Sequence, residues 1–252
     1  MEHLRAEQIH ITPRRGSSWP LKVSTQQGEF LLKLSGAGQG FAALVAEIIV
    51  AEVAEYLGFH VPKRALIFVD AQTILEDGDP EVLELIERSL GLNLGFRYLP
   101  HARDLRPEDL QQLSQDDKAL IYWLDWFSMN PDRSAKNPNL MLEARGSKTK
   151  LWLIDHGAAL LFQHNWALLS EDAPKALKPW LAQHIFAGFA PLARAWHEII
   201  RLELKDNLER LISQVPDDFL RPLQGNTTLE RRRYAYVAFL LKRLRQDTID
   251  RY

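Results

Sequence analysis

Residues 130–139, NPDRSAKNPN, set the carboxylate of Asp132 beside the guanidinium of Arg133 and follow them with the amides of Asn137 and Asn139. A cationic neighbour keeps a carboxylate ionised. Amide oxygens are neutral hard donors, suited to an oxygen-ligated cation such as Mg²⁺. Residues 151–159, LWLIDHGAA, then run an apolar strand abruptly into Asp155, with Gly157 to release the backbone. The two segments together offer one acid as a candidate base, and an amide plus a second acid as candidate metal ligands. Phosphoryl transfer uses this combination, because its transition state is mostly spread negative charge and its catalysis is positioning plus neutralisation.

The elements that must position these groups can be read from periodicity. SWPLKVS (18–24) and EFLLKL (29–34) are strand-like, and TQQG between them has hairpin chemistry. SGAGQG (35–40) is a glycine-rich loop. FAALVAEIIVAEVAEYLG (41–58) repeats apolar residues at helical spacing and stops at Gly58. VPKRALIFVD (61–70) predicts a strand, and residues 71–91 a turn and a short helix. GLNLGFRYLP (91–100) breaks the pattern with two glycines and a proline, which predicts a lobe boundary there. Beyond it, RPEDLQQLSQ predicts a helix with Pro107 in its first turn. Residues 116–130 predict a strongly apolar helix, and 130–161 a polar loop, a hairpin and a second polar turn. The chain from about 165 onward is helical by pattern. The fold class expected is α+β with two lobes: residues 1–95 with an antiparallel sheet and one helix, and residues 96–252 mainly helical, with the loaded loops at the start of the helical part and a cleft between the lobes.

The pattern D-R-x-x-x-N, a hairpin, then h-x-h-I-D-x-G resembles the catalytic and metal-binding loops of the kinase superfamily. The run N-P-D-R, N-P-N-L-M and L-W-L-I-D-H-G resembles most closely the HipA-like kinases, with the phosphatidylinositol kinases sharing the Asp-Arg form. The resemblance implies an ATP- and Mg²⁺-dependent phosphotransferase. It implies that Asp132 accepts or orients the acceptor hydroxyl proton, with Arg133 its basic neighbour. It makes Asp155 a metal ligand, together with Asn137, which has the usual spacing, or Asn139, which directly precedes the strand NLML. It gives Lys33 the ATP phosphates and Glu47 the pairing with that lysine. Gly16, Ser17 and Ser18 resemble the loop that closes over phosphates, though not as G-x-G-x-x-G. SGAGQG does not complete that fingerprint either, and in a HipA-like chain it is the connection from the lysine strand to the helix carrying Glu47.

The acceptor implied first is a protein Ser or Thr, and second a small molecule or lipid head group. Adenylyl transfer uses the same residues, and a non-catalytic nucleotide-binding or interaction module would share the fold. His156 is the variable middle position of the metal motif. His164, Asn165 and Trp166 follow it, as substrate or packing residues.

Composition bounds these readings. The chain has 252 residues, 46% hydrophobic and 25% charged, which is ordinary for a globular protein. A net charge of −2 gives no bulk attraction to nucleic acid. The basic run Arg231, Arg232, Arg233, Lys242, Arg243 and Arg245 reads as a solvated helix face. No run approaches membrane-spanning length, and MEHLRAEQIHITPRR has no apolar stretch of signal-peptide type, so a cytoplasmic protein is expected. Cysteine is absent, which excludes disulfides and thiolate metal sites. The eight histidines show no zinc spacing. Tyr122, Trp123, Trp126 and Phe127 read as core.

Overall fold

The structure is a computed structural model that describes residues 1–10, 19–75, 80–146, 148–160, 179–223, 227–246 and 249. Gly16, Ser17, Ser18, His164, Asn165 and Trp166 lie outside the described residues. The chain divides into two compact units. One comprises Met1–Leu44 with Pro62–His101, and the other Val45–Val61 with Ala102–Tyr252.

The first unit is built on a seven-stranded sheet. Its strands are β1 (Glu2–Arg5), β2 (Gln8–His10), β3 (Leu21–Thr25), β4 (Gly28–Lys33), β5 (Arg64–Val69), β6 (Ile74–Leu75) and β7 (Gly91–Arg97). Their order is β1-β5-β7-β4-β3-β2-β6. The outermost pairs, β1 with β5 and β2 with β6, are parallel, and the others antiparallel. The β3–β4 hairpin closes as its turn residues predict. Thr25 Oγ1 donates to the Gly28 carbonyl at 2.9 Å and accepts the Gln27 N–H at 3.2 Å, while Gly28 takes φ +102°. Alternation sends Leu21, Val23, Phe30, Leu32, Ile67 and Val69 to one buried face. Val82, Leu85 and Ile86 of helix α2 (Pro80–Glu87) join the same core.

Residues 91–97, read as a break in the pattern, form a regular strand, β7. It lies in the middle of the sheet, flanked by β4 and β5. The glycines that suggested a break serve the strand. A Cβ on Gly95 would collide with the Ile67 side chain and stand 3.4 Å from Phe30 Cβ, so glycine permits the close approach. The first strands, β1 and β2, were not anticipated: they are short, and β1 is largely exposed, so they carry little hydrophobic pattern.

Helix α1 (Phe41–Tyr56) ends at Gly58, where φ is +89° and the Phe59 N–H reaches back to the Ala54 carbonyl at 3.0 Å. In the second unit a three-stranded antiparallel sheet runs β10 (Lys148–Leu153), β9 (Leu140–Arg145), β8 (Ala102–Asp104). The segment expected to begin a helix at Arg106 is a 3₁₀ turn, Pro107–Gln112. Asp109 holds it tight: its carboxylate takes both arms of Arg103, at 2.6 and 2.8 Å, and the Arg106 N–H at 2.8 Å. These bonds, Arg103's first, hold the carboxyl well below its ordinary range.

Helix α3 (Gln115–Ser128) starts where Ser114 Oγ accepts the Asp117 N–H. Its Tyr122, Trp123 and Phe127 are fully buried and Trp126 nearly so, with Trp123 and Phe127 stacked at 4.8 Å. It packs against α4 (Ala190–Leu204), where Trp123 Nε1 donates to His197 Nδ1 at 3.1 Å. Three further helices follow, α5 (Leu208–Ile212), α6 (Asp217–Leu220) and α7 (Leu229–Leu244). Among the described residues no helix is long and apolar enough to cross a membrane.

Arg231 and Arg245 are exposed as a solvated face requires, but Arg232, Arg233 and Arg243 turn toward the protein. Arg232 and Arg243 are buried. Arg232 Nη1 donates to the carbonyls of Leu220 and Arg221, and Arg233 Nη1 to those of Ile212 and Val215. Arg243 donates to the carbonyls of Trp126 and Phe127 and stacks 4.3 Å over the Trp126 ring. Burial pushes its guanidinium down to about 9, so it remains charged at neutral pH. The three arginines donate to carbonyls at or just past the C-terminal ends of α5, α6 and α3, where a cation also meets the negative end of the helix dipole.

Candidate active site

The site grows from the end of α3. Met129 turns into the left-handed region at φ +56°, and the chain leaves the helix. Asn130, fully buried, ties the exit down: its N–H donates to the Asp125 carbonyl at 2.9 Å, and its Nδ2 to Asp125 Oδ1 at 2.8 Å. Asn130 Oδ1 in turn accepts the Asp132 N–H at 3.2 Å. This is the turn chemistry that asparagine supplies.

Arg133 points inward. Its side chain is wholly buried and its Nε donates to Asp125 Oδ2, also wholly buried. Its Nη1 donates to the carbonyls of Pro138 at 2.8 Å and Asn139 at 2.7 Å. One guanidinium therefore bridges the helix behind the loop and the strand in front of it. Burial would raise the Asp125 carboxyl, but the Arg133 charge, then the hydrogen bond from His184, outweigh it and hold the group at about 2.

With Arg133 facing in, Asp132 stands half-buried at the bend. Asn137 Nδ2 donates to its Oδ1 at 2.9 Å. Asn139 Nδ2 donates to its carbonyl oxygen at 2.6 Å and lies 3.4 Å from its Oδ2. Both amides thus use nitrogen toward Asp132, leaving the oxygen of each as the group suited to a cation. The exposed turn is closed by Ser134 and Asn137, which exchange backbone bonds of 3.1 and 3.2 Å. Asn139 is buried and left-handed at φ +49°, a conformation asparagine tolerates.

The β9–β10 hairpin brings the second acid back. Leu140 pairs with Leu153, and the Ile154 N–H extends the ladder to the Asn139 carbonyl at 3.1 Å. Asp155 is the next residue, half-buried and left-handed at φ +57°. Non-glycine residues in that region cost energy and cluster at functional sites. The residues after it are anchored twice. The His156 N–H donates to Glu47 Oε2 at 3.0 Å, both residues being fully buried, and the Leu160 N–H donates to the Ser128 carbonyl at 2.7 Å. Glu47 therefore reaches the Asp155 loop by a bond across 109 residues. Lys33, in the first unit, lies 5.7 Å over the Phe96 ring.

The structure thus brings Asp132, Arg133, Asn137 and Asn139 into one bonded cluster, sets the loop of Asp155 beside it through the hairpin, and joins Glu47 to that loop. Sequence reading passed over Asp125 and His184. Asp125 did leave a signal, as an acid within the apolar run YWLDWF. His184 left none. In the loop SGAGQG the Ser35 and Gly36 N–H groups donate to Asn93 Oδ1 at 2.7 Å and Ser89 Oγ at 3.0 Å, and those of Ala37 and Gly40 to the carbonyls of Leu34 and Ala37.

The mixed α+β chain carries its acids and amides on a loop and a hairpin that follow an apolar helix, and its family is one of kinase-type phosphotransferases. The chain belongs to the HipA-like kinase family, whose model matches residues 11–249. Among solved structures it is similar to the Helicobacter pylori proinflammatory kinase CtkA, at 11% identity over 94% of this chain and 95% of that one, with a TM-score of 0.48. No curated protein matches it.

Proposed function

We propose that this chain transfers the γ-phosphate of ATP to a hydroxyl, a protein Ser or Thr first among acceptors, with Asp132 as base. The observation that carries this reading is the bonding of Asp132 by Asn137 and Asn139, which aims its carboxylate while Arg133 is drawn away behind it. In the reaction the acceptor oxygen bonds to the γ-phosphorus as the bond to the β–γ bridging oxygen breaks. ADP leaves with that electron pair, and the hydroxyl proton passes to Asp132.

Asp155 and the amide oxygen of Asn137 or Asn139 fit Mg²⁺, which prefers hard oxygen donors and keeps water and phosphate as its other ligands. When bound, the ion supplies charge neutralisation at the phosphate oxygens. The family resemblance gives Lys33 the ATP phosphates and directs the search for the acceptor toward proteins.

The test is incubation of the full chain with γ-labelled ATP and, in parallel, α-labelled ATP, each with Mg²⁺ and a panel of protein and small-molecule acceptors. Label in a hydroxyl amino acid that vanishes in Asp132→Ala supports the reading. ATP binding without transfer would mark a nucleotide-binding module, and label from the α-phosphate an adenylyl transferase.

A further inference from the structure

His184 lies beyond the loop that carries Asp132, 59 residues from Asp125, and nothing in the site described above uses it directly. It is nevertheless buried, and its Nε2 stands 2.9 Å from Asp125 Oδ2, the oxygen that also receives Arg133 Nε. The Phe186 N–H donates to its Nδ1 at 3.0 Å. A nitrogen that accepts carries no proton, so the ring is held as the tautomer with hydrogen on Nε2, donating to Asp125. The Tyr122 ring meets it edge-on at 5.1 Å and fixes its plane. The same segment grips the loop by its backbone: the Ile185 N–H donates to the Arg133 carbonyl at 3.2 Å, and Ser134 forms a β-bridge with His184.

We propose that His184 is a positioning residue for phosphoryl transfer, acting through Asp125 and Arg133 on Asp132. Asp125 Oδ2 receives two donors, Arg133 and His184, while Oδ1 receives Asn130. With all three in place the carboxylate has one orientation, and Arg133 is pinned in the pose that turns the adjacent Asp132 outward. Without the imidazole N–H the carboxylate keeps its charge partner but loses a constraint, and the loop gains freedom where a misplacement of about 1 Å can cost ~10²-fold in rate.

Two substitutions separate the His184 nitrogens. His184→Asn keeps an acceptor near Nδ1 for the Phe186 N–H and removes the donor to Asp125. His184→Gln places an amide N–H near Nε2 and removes the acceptor. Where turnover is read, the proposal rests on the kinase reading. The full-length variants are therefore compared in two ways: steady-state ADP release with ATP and Mg²⁺, and amide hydrogen exchange at Asp132, Ser134 and Asn137. The expected result is that H184N loses about tenfold or more in kcat with KM for ATP little changed, and that its loop amides exchange faster by a similar factor. H184Q stays within about threefold of wild type in both. Equal behaviour of the two variants, or loss in H184Q alone, overturns the proposal. If H184N does not fold, H184Q decides: wild-type loop protection and turnover uphold it, and a loosened loop overturns it. If the wild type releases no ADP, the kinase reading falls, and exchange alone decides whether His184 holds the loop.

Discussion

Arg133 Nε and Asp125 Oδ2 form an ion pair in which neither side chain is exposed to solvent, and the residue before that arginine is the proposed base. A buried pair of this kind adds little stability over a well-packed apolar pair, but losing one partner leaves an uncompensated charge. Here the pair also chooses which of two adjacent charged side chains faces inward. Asp125→Ala is expected to cost about 3–5 kcal/mol in urea unfolding, a large share of a typical domain's stability. Arg133→Lys should also destabilise, since an ammonium cannot serve Asp125 and two carbonyls from fixed planar positions.

The same pair sets an acid dependence. The Asp125 carboxyl is lowered from its ordinary 3.8 to about 2 on folding. The sign follows from proton binding: between those values the unfolded chain holds more protons, so stability rises with pH. The contribution is fully present above about pH 4–5 and is lost as pH falls toward 2. Asp125→Asn should flatten the acid limb of the stability–pH curve over that window, measured by urea midpoints at fixed ionic strength.

Asp132→Ala should lower turnover by ~10²–10⁴-fold, the usual worth of a general base. Asp132 is half-buried rather than core, so the fold and ATP–Mg²⁺ affinity should persist. Calorimetric titration beside turnover distinguishes these effects; turnover near wild type removes Asp132 from the role.

Asp155 is the proposed metal ligand, a role with a different signature. ATP at 100 times its Kd should stabilise the wild type by about 2.7 kcal/mol, read as a thermal shift that depends on Mg²⁺. Asp155→Ala should keep whatever shift ATP gives alone and lose the Mg²⁺-dependent increment. An increment equal to wild type would count against Asp155 as a ligand.

Asn137 and Asn139 should separate by measurement. Asn137 is exposed, and Asn139 is buried at φ +49° with its amide on the Asp132 carbonyl. Asn139→Ala should destabilise by about 1–3 kcal/mol, leaving the half-buried Asp132 carbonyl short of a donor and an alanine at a positive φ that asparagine tolerates better. Asn137→Ala should leave the unfolding midpoint within about 0.5 kcal/mol of wild type, as exposed substitutions do. If it raises the Mg²⁺ concentration needed for turnover, Asn137 is the ligand; if that requirement does not change, Asn139 is the candidate that remains.

The sequence by itself determined the local parts of this protein. The β3–β4 hairpin, the capped end of α1 and the β9–β10 return that follows Asp132 and leads to Asp155 depend on neighbours a few residues apart, and turn chemistry and periodicity report such neighbours directly. Glycine-based punctuation failed at 91–97, because Gly95 is there for Ile67 across the sheet and not for a bend. Only the tertiary structure decided which charges lie inside. Asp125 is matched by Arg133 and His184, Glu47 by the backbone of His156, and three arginines of α7 by carbonyls at helix ends. A charge survives burial only where its partner is delivered, and these partners come from up to 117 residues away. No local pattern records that pairing, so the acid and histidine behind the loop became visible only once the chain was folded.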